Sequence, residues 1–198
     1  MPVRTDGFYP GQLYHIYNRG AHKHPIFSTE DHYRLLLSYV HRYRQKYDIG
    51  VIAHTFMPNH YHFVLREEGS VSISKFISTL FNAYVQAFNK REKHQGTLFE
   101  GRFKHVAVPD ASHLQALLPY IHLNPVDARL VKRPGDWEFS DYREWVREGK
   151  YQSERIKRYR REFDFPSAEN YRTAVEASLM MKPKTTSRRW GDLREVLF

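Results

Sequence analysis

His60 and His62 alternate with Tyr61 in the run Met57-Pro58-Asn59-His60-Tyr61-His62-Phe63-Val64-Leu65. In a strand, side chains two apart share a face, so the two imidazoles stand side by side as a two-pronged ligand for a divalent metal. Further along, Tyr120 and Asn124 lie four apart, one turn of a helix from each other. If that helix packs beside the histidine strand, Asn124 would complete a His-His-amide set and the Tyr120 phenol would stand next to it. A His-x-His pair alone is a weak motif. A tyrosine on a helix flank is more often a packed aromatic with a satisfied hydroxyl. The four residues carry weight only together.

The surrounding pattern supplies the elements that must position them. Leu13-Tyr14-His15-Ile16-Tyr17-Asn18 is rich in β-formers and stops at Arg19-Gly20. Ser28 is a candidate cap for a helix with Tyr33, Leu36, Leu37, Val40, Tyr43 and Tyr47 on one stripe, closed by Gly50. Val51 to Phe56 reads as a second strand, joined by the tight Pro58-Asn59 turn to the histidine strand. Ile73, Phe76, Ile77, Leu80, Tyr84 and Phe88 mark a second helix, capped by Ser70 or Ser72. A fourth strand is expected over Phe103 to Val108, stopped by Pro109. A third helix then starts at Asp110, carries Leu114, Leu117, Leu118 and Ile121, and ends at Asn124-Pro125. Pro119 removes one of its hydrogen bonds and is expected to kink it. This order predicts an α+β, ferredoxin-like split βαβ antiparallel sheet with packed helices.

After Pro134-Gly135 the pattern weakens, and Asp136 to Tyr142 is expected to pack back as a short turn or helix. From Tyr151 on, eleven Lys/Arg face seven Asp/Glu. That predicts a basic helical tail, with an arm from Lys182. The expected division is a domain over 1–145 and a basic C-terminal extension over 146–198.

The 198 residues carry a net charge of +9 and 15% aromatics, which favours a polyanionic partner whose bases can be stacked upon. The absence of cysteine excludes disulfides, thiolate metal sites and cysteine nucleophiles. No signal-peptide pattern and no apolar run of about 18 residues is present, so a cytoplasmic protein without a membrane partner is expected. No Gly-x-x-x-x-Gly-Lys-Ser/Thr loop occurs, and no nucleotide cofactor is expected. Arg19, Arg102 and Lys104 are candidate DNA-phosphate contacts, as are Arg158, Arg160 and Arg161 of the tail. His15, His54, His105 and His122 are read as ordinary surface or core residues.

Tyr14-His15-Ile16-Tyr17-Asn18-Arg19-Gly20, Phe56 to His62, Gly101-Arg102-Phe103-Lys104 and Tyr120-Ile121-His122-Leu123-Asn124-Pro125-Val126 occur in this order. Together they resemble the single-tyrosine HUH (His-hydrophobic-His) transposases, most closely the REP-associated tyrosine transposases, over Leu13 to Tyr142. One departure is Asp127-Ala128-Arg129-Leu130-Val131, where many relatives carry a basic-small-Gly string. The resemblance implies that His60, His62 and Asn124 bind Mg²⁺ or Mn²⁺ and that Tyr120 is the nucleophile. It implies a hairpin or single-stranded DNA substrate, a 5′-phosphotyrosine intermediate and DNA transposition or recombination, by a monomer or homodimer. Two other functions remain open: a non-catalytic single-stranded nucleic-acid binder of the same fold, and a metal-dependent phosphodiesterase that activates water. The RNP1-type aromatic-basic string of the RNA-recognition layout is missing from the chain.

Overall fold

Alternation in the first strand decides which residues meet the site. The computed structural model describes residues 7–181. In β1 (Leu13–Arg19), Tyr14 and Ile16 enter one apolar cluster, while Tyr17 enters another on the opposite face. The remaining strands are β2 (Ile49–Met57), β3 (His60–Glu67) and β4 (Lys104–Ala107), in the order β2-β3-β1-β4 with every pairing antiparallel. This is the expected split βαβ sheet.

Two helices, α1 (Glu30–Tyr47) and α2 (Ile73–Glu92), cover one face over Ile16, Phe56, Tyr61, Phe63 and Leu65. Each large side chain fully removed from water there contributes about 1.5–3 kcal/mol. The other face is covered by α3 (Ala111–Asp127), with α4 (Tyr142–Trp145), α5 (Glu154–Glu162) and α6 (Ala168–Met180) gathered around it. The basic tail is thus helical through α5 and α6, and it shares one apolar cluster with Tyr17, Val64 and Leu118. The arm from Lys182 lies outside the described residues. No helix among those described is long and apolar enough to cross a membrane.

Several local expectations change. Asp48, not Gly50, stops α1: it adopts a left-handed conformation (φ 50°), and its N–H reaches Arg44 O. Gly50 lies inside β2. The N-cap of α1 is Thr29, whereas the backbone N–H of Ser28 donates to His32 Nδ1 at 3.2 Å. Ser72 caps α2 by accepting from Lys75 N–H. The β4 strand is two residues shorter than expected, because only Lys104 to Ala107 pair with β1. The α3 helix runs past Asn124-Pro125 to Asp127, with both prolines inside it. Its carbonyls at Asn124 and Pro125 still accept from Ala128 and Leu130 N–H, at 2.9 Å each, so the turn closes beyond the proline. The stretch after Pro134 is a 3₁₀ turn (Pro134–Asp136), and the chain then lies along β2. There Phe56 N–H donates to Phe139 O at 2.9 Å, and Asp141 N–H to His54 O at 3.2 Å.

The turn before the histidine strand is pinned from outside. Gly20 N–H donates to Asn59 O (2.8 Å), and Ile26 and Phe27 N–H both donate to Pro58 O (2.8 and 3.0 Å). A Cβ on Gly20 would sit 2.0 Å from the His24 carbonyl oxygen, so only glycine fits that crossing.

Candidate active site

Period-2 geometry puts His60 and His62 on the side of β3 that faces α3, with ring centroids 5.1 Å apart at 81°. Each Nδ1 has a neighbour: Asn59 Oδ1 at 2.7 Å from His60, and His15 Nε2 at 3.0 Å from His62. The Asn59 carbonyl only accepts, so His60 carries its proton on Nδ1 and a lone pair on Nε2. The Nε2 of His62 is buried and makes no hydrogen bond among the described residues. Burial takes His60 down to about 4, opposed by a hydrogen bond to Asn124 and aided by the Arg19 charge. His62 is held well below its ordinary value by burial first, then by the His60 and His15 charges. Burial takes His15 to about 3. All three imidazoles are therefore neutral at pH 7, the form that ligates metal.

The other half of the site comes from α3. The Asn124 amide donates Nδ2–H to Tyr120 O at 2.9 Å, and the same side chain reaches His60. The Tyr120 ring stands edge-on to His62, with centroids 6.1 Å apart at 73°. Its residue is 7% exposed and its hydroxyl is buried. One chain thus brings His60, His62, Tyr120 and Asn124 together. Two neutral imidazoles and an amide oxygen can make an N,N,O donor set, and the buried Nε2 of His62 makes no hydrogen bond to any of the described residues. Among the described residues no group of three or more His, Cys, Asp or Glu gathers into a metal site. The donor set therefore rests on the amide.

Tyr17, Asn18, Arg19, His60, His62, Glu100 and Lys104 line a small cleft at this point. Tyr17 lies opposite His62 in the β1–β3 register, and Arg19 opposite His60. Burial raises the Tyr17 phenol above its ordinary value. Arg19 is engaged by Glu100, with Nη2–Oε1 at 2.8 Å. Lys104 is exposed at the cleft, whereas Arg102 is exposed over a separate groove beside α2. Arg158 pairs with Glu68 at 2.7 Å, and Arg161 is exposed; both lie on α5, away from the cleft lining. Arg160 does not belong with the surface cations. It is 4% exposed and donates to Trp145 O at 3.2 Å, because it falls on the buried stripe of α5 with Ile156, Tyr159 and Phe163. That i, i+3, i+4, i+7 spacing was readable and marks Arg160 as inward.

His15 and Tyr17 join the site through pairing of β1 with β3, which sequence spacing alone does not reveal. His54 and His122 are buried against Asp141, 87 and 19 residues away in the chain.

A family model described as IS200-like transposase matches residues 9–124. A REP-associated tyrosine transposase, solved bound to a REP hairpin, superposes with a TM-score of 0.62 at 18% identity. The alignment covers 77% of this chain and 94% of that one, and the likeness concerns the fold. A candidate transposase from Deinococcus radiodurans R1 aligns at 16% identity and TM-score 0.43, over 59% of this chain and 93% of its own. A comparison with curated proteins gives no match.

Proposed function

The chain belongs to the IS200-like transposase family, and from that premise we propose that it cuts and rejoins one DNA strand with Tyr120 as nucleophile. The observation that carries this reading is the meeting, within one chain, of the β3 imidazole pair with Asn124 and Tyr120 of α3. His60, His62 and Asn124 would hold Mg²⁺ or Mn²⁺, ions to which the carbonyl oxygen of the amide is suited, with the imidazoles as nitrogen ligands. A bound ion of this kind supplies Lewis-acid polarisation of a non-bridging phosphate oxygen.

Around it, the chain's own groups do the rest. The Nδ1 contact with Asn59 holds His60 in the tautomer that offers Nε2, and His62 offers its Nε2 when its own Nδ1–H donates to His15. Tyr120 Oη forms a bond to phosphorus while the P–O3′ bond breaks. The phenol gives up one proton, and the departing 3′-oxygen takes one. A phenol with an ordinary pKa of about 10 is a better leaving group than an aliphatic alcohol, so the same step reverses and rejoins DNA without ATP. Lys104 lies beside this cleft and suits a phosphate contact; Arg19 does so once Glu100 is displaced. The substrate is DNA unpaired at the cut, next to a hairpin, as the hairpin held by the REP-associated relative suggests. Arg102, Arg158 and Arg161 would contact it farther out.

The test is a covalent adduct. End-labelled DNA hairpins with randomised single-stranded flanks are incubated with protein and Mn²⁺ and run on a denaturing gel. A shifted band that disappears with Tyr120→Phe or with chelator is expected. Cleavage with no adduct would replace this reading by metal-activated hydrolysis, and binding with neither would leave a nucleic-acid binder.

A further inference from the structure

Four polar side chains with no part in the proposed chemistry form one buried chain across the molecule. The Asp141 carboxylate accepts from His54 backbone N–H at 2.8 Å and from His122 Nε2–H at 2.9 Å. Its second oxygen lies 3.6 Å from His54 Nδ1. With its proton on Nε2, His122 turns Nδ1 to the Tyr171 hydroxyl of α6. His122 and Tyr171 are 0% exposed and Asp141 is 2% exposed. An apolar filling would hold these elements together as well; the hydrogen bonds of Asp141 to His54 N–H and His122, and of His122 to Tyr171, add a fixed direction, while Asp141 Oδ2 and His54 Nδ1 make no hydrogen bond among the described residues.

The location of this chain gives that direction a use. The α3 helix packs chiefly on β2 and α6 and only lightly on β3, the strand that carries His60 and His62. The alignment of Tyr120 and Asn124 with the imidazoles therefore depends on how α3 is fixed to other elements. His122 lies two residues from each of them, about 200° around the helix, so it grips the opposite flank of the same turns. Asp141 is itself tied to β2 by backbone hydrogen bonds, and β2 pairs with β3 at Thr55–His62. We propose that the Tyr171–His122–Asp141 chain fixes α3 in the rotation that presents Tyr120 and Asn124 to the β3 imidazoles. His122, Asp141 and Tyr171 are then positioning residues for DNA cleavage, and α6 is part of the working enzyme. This rests on the reading of Tyr120 as nucleophile. A displacement of about 1 Å in such a group costs on the order of 10²-fold in rate, so loss of one hydroxyl at a remote buried point is measurable.

The experiment uses the full chain, the same pool of hairpins and Mn²⁺. It compares Tyr171→Phe, Asp141→Asn and Val175→Ala for melting temperature, hairpin affinity and single-turnover adduct rate. Val175 is a buried residue of the same helix outside the polar chain, so its truncation loosens α6 without touching that chain. Tyr171→Phe and Asp141→Asn are expected to bind hairpins within twofold of wild type and to form the adduct at least tenfold more slowly. Val175→Ala is expected to melt lower and react at the wild-type rate. An unchanged rate in Tyr171→Phe overturns the proposal, and so does equal slowing in Val175→Ala, which would make the effect one of stability alone. Tyr120→Phe is run alongside. An adduct that survives it removes the premise, whereas one that needs Tyr120 but ignores Tyr171 removes the positioning role alone.

Discussion

The two faces of the sheet are made from alternate residues of the same strands, yet they solve opposite problems. Toward α1 and α2, β1 and β3 present Ile16, Tyr61, Phe63 and Leu65 to a core of aromatic and aliphatic side chains. Toward α3 they present His15, Tyr17, His60 and His62, with imidazoles kept neutral by burial. A buried polar group without a compensating partner costs about 1–3 kcal/mol, and His62 Nε2 is such a group among the described residues. One face therefore supplies stability that the other spends on a reactive arrangement.

Substitutions on the two faces should separate activity from stability. The largest effect expected is on the α3 side: His60→Ala should lower cleavage by at least about 10³-fold, about 4 kcal/mol at the transition state. Hairpin binding should remain measurable by gel shift, and the melting temperature should stay within about 2 °C. Loss of binding as well would mean that the variant is misfolded and that the faces are not separable. On the opposite face, Phe63→Ala should cost about 3–5 kcal/mol in urea unfolding, with the adduct still formed under folding conditions.

Acid sharpens the contrast further. An unfolded histidine titrates near about 6.5, while His15 in the fold is lowered to about 3 by burial. The unfolded chain therefore takes up the proton first. The stability linked to neutral His15 is fully present above pH about 6.5 and is lost as pH falls from there toward about 3, by up to roughly 1.4 kcal/mol per pH unit. Urea midpoints at pH 7, 6 and 5 should fall less steeply in His15→Gln. In Phe63→Ala they should shift down with the wild-type slope; equal slopes in all three proteins would contradict the burial argument. The smallest effect is a control on the nucleophile. Tyr17→Phe removes the phenol that lines the cleft and should leave the adduct band within about threefold of wild type. If the band is lost, the nucleophile has been assigned to the wrong tyrosine.

How much of this was legible in the sequence follows from where each periodicity applies. Strand alternation and helical stripes were enough to set out the split βαβ sheet, and spacings of two and four paired His60 with His62 and Tyr120 with Asn124. Those are local signals. His15 and Tyr17 enter the site only through strand register, which no spacing within one segment encodes. Asp141, His122 and Tyr171 meet across loops and helices, so their sequence separations carry no period. The helix through Pro125 is a case where packing outweighs a local breaker: Leu123, Asn124 and Pro125 are all buried, and the lost bond sits in the last turn. Arg160 departs from expectation for a different reason. The basic run of the tail suggests three DNA-phosphate contacts, although its helical stripe points Arg160 inward.

The segment Trp137 to Asp141 has a consequence beyond the polar chain that it anchors. A bare edge strand offers unpaired N–H and C=O groups on which another chain can template a strand. Here the outer rim of β2 is occupied by the protein's own backbone over His54 to Phe56, with Phe56 N–H and His54 O both paired to this segment. The opposite rim is β4, only four residues long and opened by the charge of Lys104. At His54 to Phe56, strand addition on the β2 rim would find the backbone hydrogen-bonding groups already taken.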